Sequence, residues 1–166
     1  MLYASFKVLV SICFNLLNRI LGGQLPPFGC ASIIVERNGQ FLVVELSRGK
    51  LVFPGGFMHW QELPTQAAER EGKEETGLDL HAHQFINIYP YKSRNIRSMS
   101  TFLFVYSGEV VGGELRQSME GIPRWVSESE LRRRFGSFPL RILDDYLHVS
   151  RLQQEDCRQK TANSSP

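Results

Sequence analysis

GFMHWQELPTQAAEREGKEETGL, residues 56–78, is the stretch on which the reading of this chain turns. Pro64 stands where a helix tolerates proline, in its first turn, and Gly77 stands where a helix stops. The spacing therefore predicts a helix over 63–76. On that helix Glu74 and Glu75 lie about 60° and about 40° around the axis from Glu71, so all three carboxylates project from one side. Left to themselves they repel. A hard divalent cation resolves the repulsion, because Mg2+ prefers carboxylate oxygens, keeps several waters and engages substrate phosphates. A diphosphate is itself anionic and approaches such a helix only when cations bridge the two. The same cations polarise phosphoryl oxygens and acidify water. One of the glutamates, or another carboxylate in reach, then accepts the water's proton.

An arbitrary Glu-x-x-Glu-Glu is more often a solvated acidic helix face. Here the surrounding letters reverse that preference. Gly56, five residues, Glu62, seven residues, Arg70-Glu71, then Glu74-Glu75 and Gly77-Leu78 resemble the Nudix box, G-x5-E-x7-R-E-U-x-E-E-x-G-U, where U is a bulky aliphatic residue. With glycine at about 7% and each charged type at about 6% of residues, a chance match is on the order of one in a million. The resemblance implies a Mg2+-dependent hydrolase, with Mn2+ as a substitute ion, that uses water to cleave a phosphoanhydride bond in a nucleotide-like substrate. Carried over position by position, it implies that Glu71, Glu74 and Glu75 bind metal, with Glu71 and Glu75 as the direct ligands. Arg70 would orient a glutamate. Glu62 would lie close to the metal or pair with Arg70, and Gly56 would offer its backbone to metal or phosphate, since a residue without Cβ permits close approach. Two departures stand out. Gly72 replaces the aliphatic letter at a helix-interior cost of about 1 kcal/mol relative to Ala, and with Ala68 one turn earlier it predicts a closely approached helix face. His59-Trp60-Gln61 stand where many relatives carry a further glutamate and a glycine, which implies fewer metal ions or an altered loop.

Outward from the box, strands are predicted over 31–35 and 41–46, on either side of Asn38-Gly39, the strongest two-residue hairpin signal. A third strand over 51–53 is ended by Pro54-Gly55-Gly56. Further strands are predicted over 85–91, 99–106 and 122–126. Ser127 and Glu130 have the offset of a capping box, and a second helix over 139–152 carries Leu140, Ile142, Leu143, Tyr146 and Leu147 on one side. The resemblance covers roughly 29–147 and implies an α/β fold, a Nudix-like α/β/α sandwich with a mixed central sheet. Glu120 falls in the region where relatives place an additional metal ligand or base, against its reading as an exposed loop glutamate. Tyr89, with Tyr91, falls where several subfamilies carry substrate-selecting residues and could stack on a nucleobase. Arg97, with Lys92 and Arg94, could meet phosphates, or this stretch is a polar hairpin tip. Cys30 reads as a small core residue, Trp125 as packing between sheet and helix, His81 and His83 as surface, and Trp60 as a substrate lid or a surface anchor.

Ahead of the domain, MLYASFKVLVSICFNLLNRILGG (1–23) has no acidic residue. Leu2, Phe6, Leu9, Cys13, Leu16, Leu17 and Ile20 share one face of a predicted amphipathic helix, and Lys7, Ser11, Asn15, Asn18 and Arg19 share the other. Polar residues interrupt it too often for a membrane span of about 20 apolar residues. Two readings stand open: a helix lying on a membrane surface, or a helix packed on the domain or on a second subunit of a homodimer. A cleaved signal or transit sequence fits less well. The chain divides into this helix (1–24), the hydrolase domain (25–152) and a polar tail expected to be disordered (153–166). Its 166 residues suit one domain. A net charge of +2, without a run of five basic residues, points away from nucleic acid, and Arg132 to Arg134 read as a solvated helix face. Three cysteines without a Cys-x-x-Cys pair suggest neither a disulfide framework nor a zinc site, and fit a reducing, cytoplasmic location, with membrane association through the first helix. The expected substrate is a nucleoside diphosphate linked to another moiety, such as ADP-ribose or a nucleotide sugar. The alternatives are oxidised nucleoside triphosphates, a non-catalytic nucleotide sensor, and a lipid-linked diphosphate.

Overall fold

The computed structural model describes the backbone of residues 2–163 and the side chains of residues 8–155. Leu2, Phe6 and Lys7 of the expected helix faces, and Cys157, lie outside the described side chains. Helix α1 (Leu2–Ile20) opens the chain. Asn38 and Gly39 both take left-handed backbone angles, φ 54° and 72°, and this turn folds β1 (Phe28–Arg37) back on β2 (Gln40–Glu45). β3 (Leu51–Val52) pairs with β2.

Pro54-Gly55-Gly56 does more than end a strand. Gly55–Phe57 forms a short strand of its own, β4, paired antiparallel with β1. A Cβ on Gly55 would run into the Ala31 carbonyl and Ser32, so only glycine lets these backbones meet this closely. Helix α2 (Pro64–Thr76) follows, with the Leu63 N–H capped by Gln66 Oε1 at 2.9 Å and Gly77 closing it in the left-handed conformation at φ 78°. β5 (Leu78–Tyr91) and β6 (Thr101–Gly113) are longer than expected. The ribbon extends because Leu78, Leu80 and Ala82 alternate inward while His81 and His83 alternate out to the surface. β7 (Ile122–Ser127) pairs with β2. Ser127 Oγ accepts from the Glu130 N–H at 3.3 Å and starts α3 (Glu128–Arg134).

Helix α4 is Ser137–Asn163, not the shorter helix expected over 139–152. The tail expected to be disordered from 153 is thus helical backbone through Asn163, and residues 164–166 lie outside the described residues. No Pro or Gly interrupts 153–163, and Gln, Glu, Arg and Lys there are good helix formers.

The sheet order is β3-β2-β1-β6-β5, with β4 on β1 and β7 on β2. β1 and β6 run parallel while the other pairs are antiparallel, so the sheet is mixed. Along β1, Ile33 and Val35 join Leu42, Leu80, Ala67 and Ala68 under α2. Ile34 points the other way, into Phe41, Val43, Val105, Leu131, Leu143 and Tyr146 beneath α3 and α4. This two-sided burial makes the α/β/α sandwich, each buried aliphatic side chain contributing about 1.5–3 kcal/mol. Trp125 packs on the α2 side as expected. The Arg132 to Arg134 run is more than a solvated face: Arg132 bridges Glu128 and Asp144, and Arg134 bridges Glu130 and Glu45, tying α3 to α4 and β2.

Gly72 lets α2 approach the sheet closely. A Cβ there would meet Leu80 Cδ1 at 2.5 Å and Ile33 Cγ2 at 3.3 Å. Gly72→Leu, which restores the aliphatic letter of the box, is therefore expected to destabilise the protein by about 1–3 kcal/mol through overpacking. Urea denaturation measures this, and an unchanged or raised midpoint contradicts the packing.

Candidate active site

The close seating of α2 brings its acidic side onto β4. Ser32 Oγ donates to the Pro54 carbonyl at 2.7 Å, and the Ile33 N–H donates to the same carbonyl at 3.0 Å. These bonds hold the Pro54-Gly55-Gly56 backbone on β1. The Gly55 N–H then donates to Glu75 Oε2 at 3.0 Å. A Cβ on Gly56 would lie 2.5 Å from the Glu71 carboxyl atoms, so that carboxylate rests directly on the glycine.

Arg70 organises the remainder of the box. Its Nε and Nη2 donate to Glu62 Oε1 and Oε2 at 2.7 and 3.0 Å, a bidentate pair. Nη2 also reaches the Phe57 carbonyl at 2.9 Å, and Nη1 reaches Glu71 Oε1 at 2.9 Å and Glu74 Oε2 at 3.3 Å. Glu62 further accepts the His59 N–H at 2.7 Å. Both Glu62 oxygens accept hydrogen bonds, so of the two places expected for it, it stands on Arg70 in this structure. Among the described residues no three acidic, histidine or cysteine side chains stand in metal-holding geometry. Glu71 and Glu74 lean on Arg70 instead.

The electrostatics separate these carboxylates. The Arg70 guanidinium holds Glu62 down at about 2. Burial pushes Glu71 above its ordinary range, against the pull of Arg70, with Glu74 and Glu120 adding repulsion. Glu75, 5% exposed, is pushed up to about 8 by burial, partly offset by the Gly55 N–H and reinforced by Glu120 and Glu71. A Glu75–Glu120 side-chain hydrogen bond is among those causes. The loop before β7 thus brings the exposed Glu120 to the carboxylates of α2. Glu71, Glu75 and Glu120 form an all-oxygen set whose mutual repulsion disfavours three negative charges. Their chemistry fits a hard cation, which compensates that charge.

Next to this set lies a cavity of about 330 Å3. Gly55 and Gly56 contribute backbone to its wall, and Val52, Leu103, Tyr91 and Phe138 make much of the remainder apolar. Lys50 is the one cation among the described lining residues, and Cys30 and Thr101 add polar atoms. Cys30 is a wall of this cavity more than a core residue; burial pushes its thiol up to about 11. Tyr89 is not a stacking platform: it is 1% exposed, sits in the core and donates its hydroxyl to Asp145 Oδ2 at 2.6 Å. Tyr91, one alternation further along β5, lines the cavity instead. Arg97 is exposed on the loop between β5 and β6 and lines no part of this cavity. Lys50 and Phe138 escaped the sequence reading. A lone lysine before a strand and an aromatic at a helix start carry no local signal of a shared pocket.

The NUDIX domain family profile matches residues 26–146. A MutT-like protein of Streptomyces ambofaciens is 26% identical over 117 residues, covering 69% of this chain and 73% of its own. An ADP-ribose pyrophosphatase of Methanocaldococcus jannaschii is 31% identical over 87 residues, covering 50% of this chain; the match spans about half, 51%, of that relative. A NUDIX hydrolase structure from Nitrosomonas europaea superposes with a TM-score of 0.67 at 24% identity, covering 75% of this chain and 90% of that one. That likeness concerns the fold.

Two outcomes follow from the geometry. Gly56→Ala is expected to displace Glu71 and lower turnover by about 100-fold, the order of loss for a misplacement of about 1 Å; steady-state hydrolysis measures it, and a loss below twofold contradicts the contact. Glu62, whose pKa falls on folding, contributes stability that is complete above about 4.5 and is lost as pH falls towards about 2. Denaturation midpoints across that window should fall less steeply in Glu62→Gln than in wild type; equal slopes refute the pairing.

Proposed function

The chain belongs to the Nudix hydrolase family, and on that premise we propose that it hydrolyses, with Mg2+, the phosphoanhydride of a nucleoside diphosphate linked to another moiety, of the ADP-ribose or nucleotide-sugar type. The observation that carries this reading is the seating of Glu75 on the Gly55 N–H and of Glu71 on Gly56, backbone that is also a wall of the apolar cavity, with Glu120 hydrogen-bonded to Glu75. One half of the site suits the charged bridge and the other suits an organic group. The likeness to the Methanocaldococcus jannaschii ADP-ribose pyrophosphatase supports the substrate class.

Glu71 and Glu75 are the proposed metal ligands, with Glu74, at the exposed edge of α2, and Glu120 completing the anionic set. A divalent cation held by Glu71 and Glu75 would supply charge neutralisation between carboxylates and phosphates and would favour attack by water at phosphorus. Arg70 keeps Glu71 aimed while Glu62 holds Arg70. The Gly56 backbone lies where a phosphate oxygen can come close, since no Cβ bars it. Burial raises the proton affinity of Glu75, which suits it to take the proton from water. Tyr91 and Phe138 offer aromatic faces to the organic moiety, and Lys50 a positive charge to its anionic side.

The test is hydrolysis by the full chain of ADP-ribose, nucleotide sugars and nucleoside triphosphates, each with Mg2+ and with chelator. Turnover of the diphosphate-linked compounds, abolished by chelator and lowered about 10²- to 10⁴-fold in Glu75→Gln, is expected. Preference for triphosphates overturns the substrate class. Absence of turnover throughout, with wild type and variant alike, overturns catalysis in favour of a nucleotide-sensing module.

A further inference from the structure

Helix α1 is seated on the domain by its polar side. Asn18, Ser11 and Asn15 fall within about 60° of one another around the helix. Asn15 Nδ2 donates to the Ile96 and Ser98 carbonyls at 2.9 Å each, and Asn18 Oδ1 accepts the Leu25 N–H at 2.9 Å. Ser11 is buried, and the neighbouring Phe14 ring meets Phe28 at 4.5 Å between centroids. The apolar stripe therefore faces away from the domain. Leu9 is 58% exposed, Leu16 48%, Leu17 49% and Ile20 81%. This is the reverse of a helix that packs on its own core, whose aliphatic side would be covered. A continuous aliphatic stripe left in water marks an interaction surface.

Charge identifies what covers it. No acidic residue precedes Glu36. Arg19 is exposed on the edge of the stripe, and the loop that Asn15 grips carries the exposed cations Lys92, Arg94 and Arg97. We propose that the outward face of α1 and the 92–97 loop together form a docking surface for an anionic lipid bilayer. An apolar stripe bordered by Lys and Arg is the pattern of a helix lying in the headgroup region, where each cation near an anionic surface adds to binding. Among the described residues no helix is long and apolar enough to cross a membrane, so the helix lies on the surface and does not span it. A second copy of the chain is a poorer occupant: a two-fold contact would bring the same cations against each other. The docking loop leaves β5 at Tyr91 and enters β6 at Thr101, and both residues line the cavity. Docking thus sets the substrate cavity beside the membrane.

Flotation of the full chain with phosphatidylcholine vesicles, with and without phosphatidylglycerol, tests the proposal. Binding to the phosphatidylglycerol vesicles that weakens in high salt is expected. The double variant Leu16→Ser/Ile20→Ser should bind at least about tenfold more weakly, since it removes much of the inserted aliphatic area. Both positions are exposed, so the circular dichroism spectrum and the hydrolysis of water-soluble substrates should stay unchanged. Failure of the wild type to float, or equal flotation of the double variant, overturns the proposal. A concentration-dependent dimer in analytical ultracentrifugation that Ile20→Ser dissociates, without flotation, overturns it in favour of a subunit interface.

Discussion

The distance between α2 and the sheet is the constraint on which the site depends. Ala67, Ala68 and Gly72 keep the inner side of the helix thin, and Leu80 and Ile33 fill the space that a larger residue at position 72 would need. The same approach lets Glu75 reach the Gly55 N–H and lets Glu71 rest on Gly56. Glycine is required on both sides of this contact. On the helix it costs about 1 kcal/mol of propensity, and on β4 it permits two backbones and a carboxylate to converge. A departure from the family pattern at position 72 is thus a packing solution that leaves the carboxylate positions intact.

Seating acids this closely has an electrostatic cost. Glu75 and Glu71 are driven towards their neutral forms chiefly by burial, with Glu120 repelling both, Glu71 repelling Glu75 and Glu74 repelling Glu71. Arg70 and the Gly55 N–H offset part of it. Glu62 stands apart: its carboxylate is held ionised and spends both oxygens on Arg70 and the His59 backbone. Within one box, then, one acid anchors the arginine while others are kept under strain beside the cavity. Such division of buried carboxylates by environment is common where charge is compensated by a ligand.

Helix α1 extends the same logic to the outside of the domain. Its hydrogen bonds to the loop between β5 and β6 link a surface element to the hairpin whose ends line the cavity. A helix that spends its polar side on the protein has only its aliphatic side to offer to the surroundings.

Residues that act on near neighbours were legible in the sequence. The box, the Asn38-Gly39 turn, the Gly77 stop, the Ser127 cap and the two faces of α1 all follow from backbone dihedrals and from which positions share a helix side. The apolar runs of 31–35 and 41–46 likewise announced two strands. What the sequence left open depends on contacts between distant segments. Glu120 meets Glu75 across 45 positions of chain, and Tyr89 and Tyr91 share a strand face yet divide between core, where Tyr89 meets Asp145 and Arg141 of α4, and the cavity wall. Gly55–Phe57 becomes a strand only because β1 lies beside it. The sequence by itself determined the carboxylate helix and the amphipathic character of α1, since both are periodicities of the local backbone. Only the tertiary structure decided which acids meet and which side of α1 is covered, because burial is a property of what arrives from elsewhere in the chain.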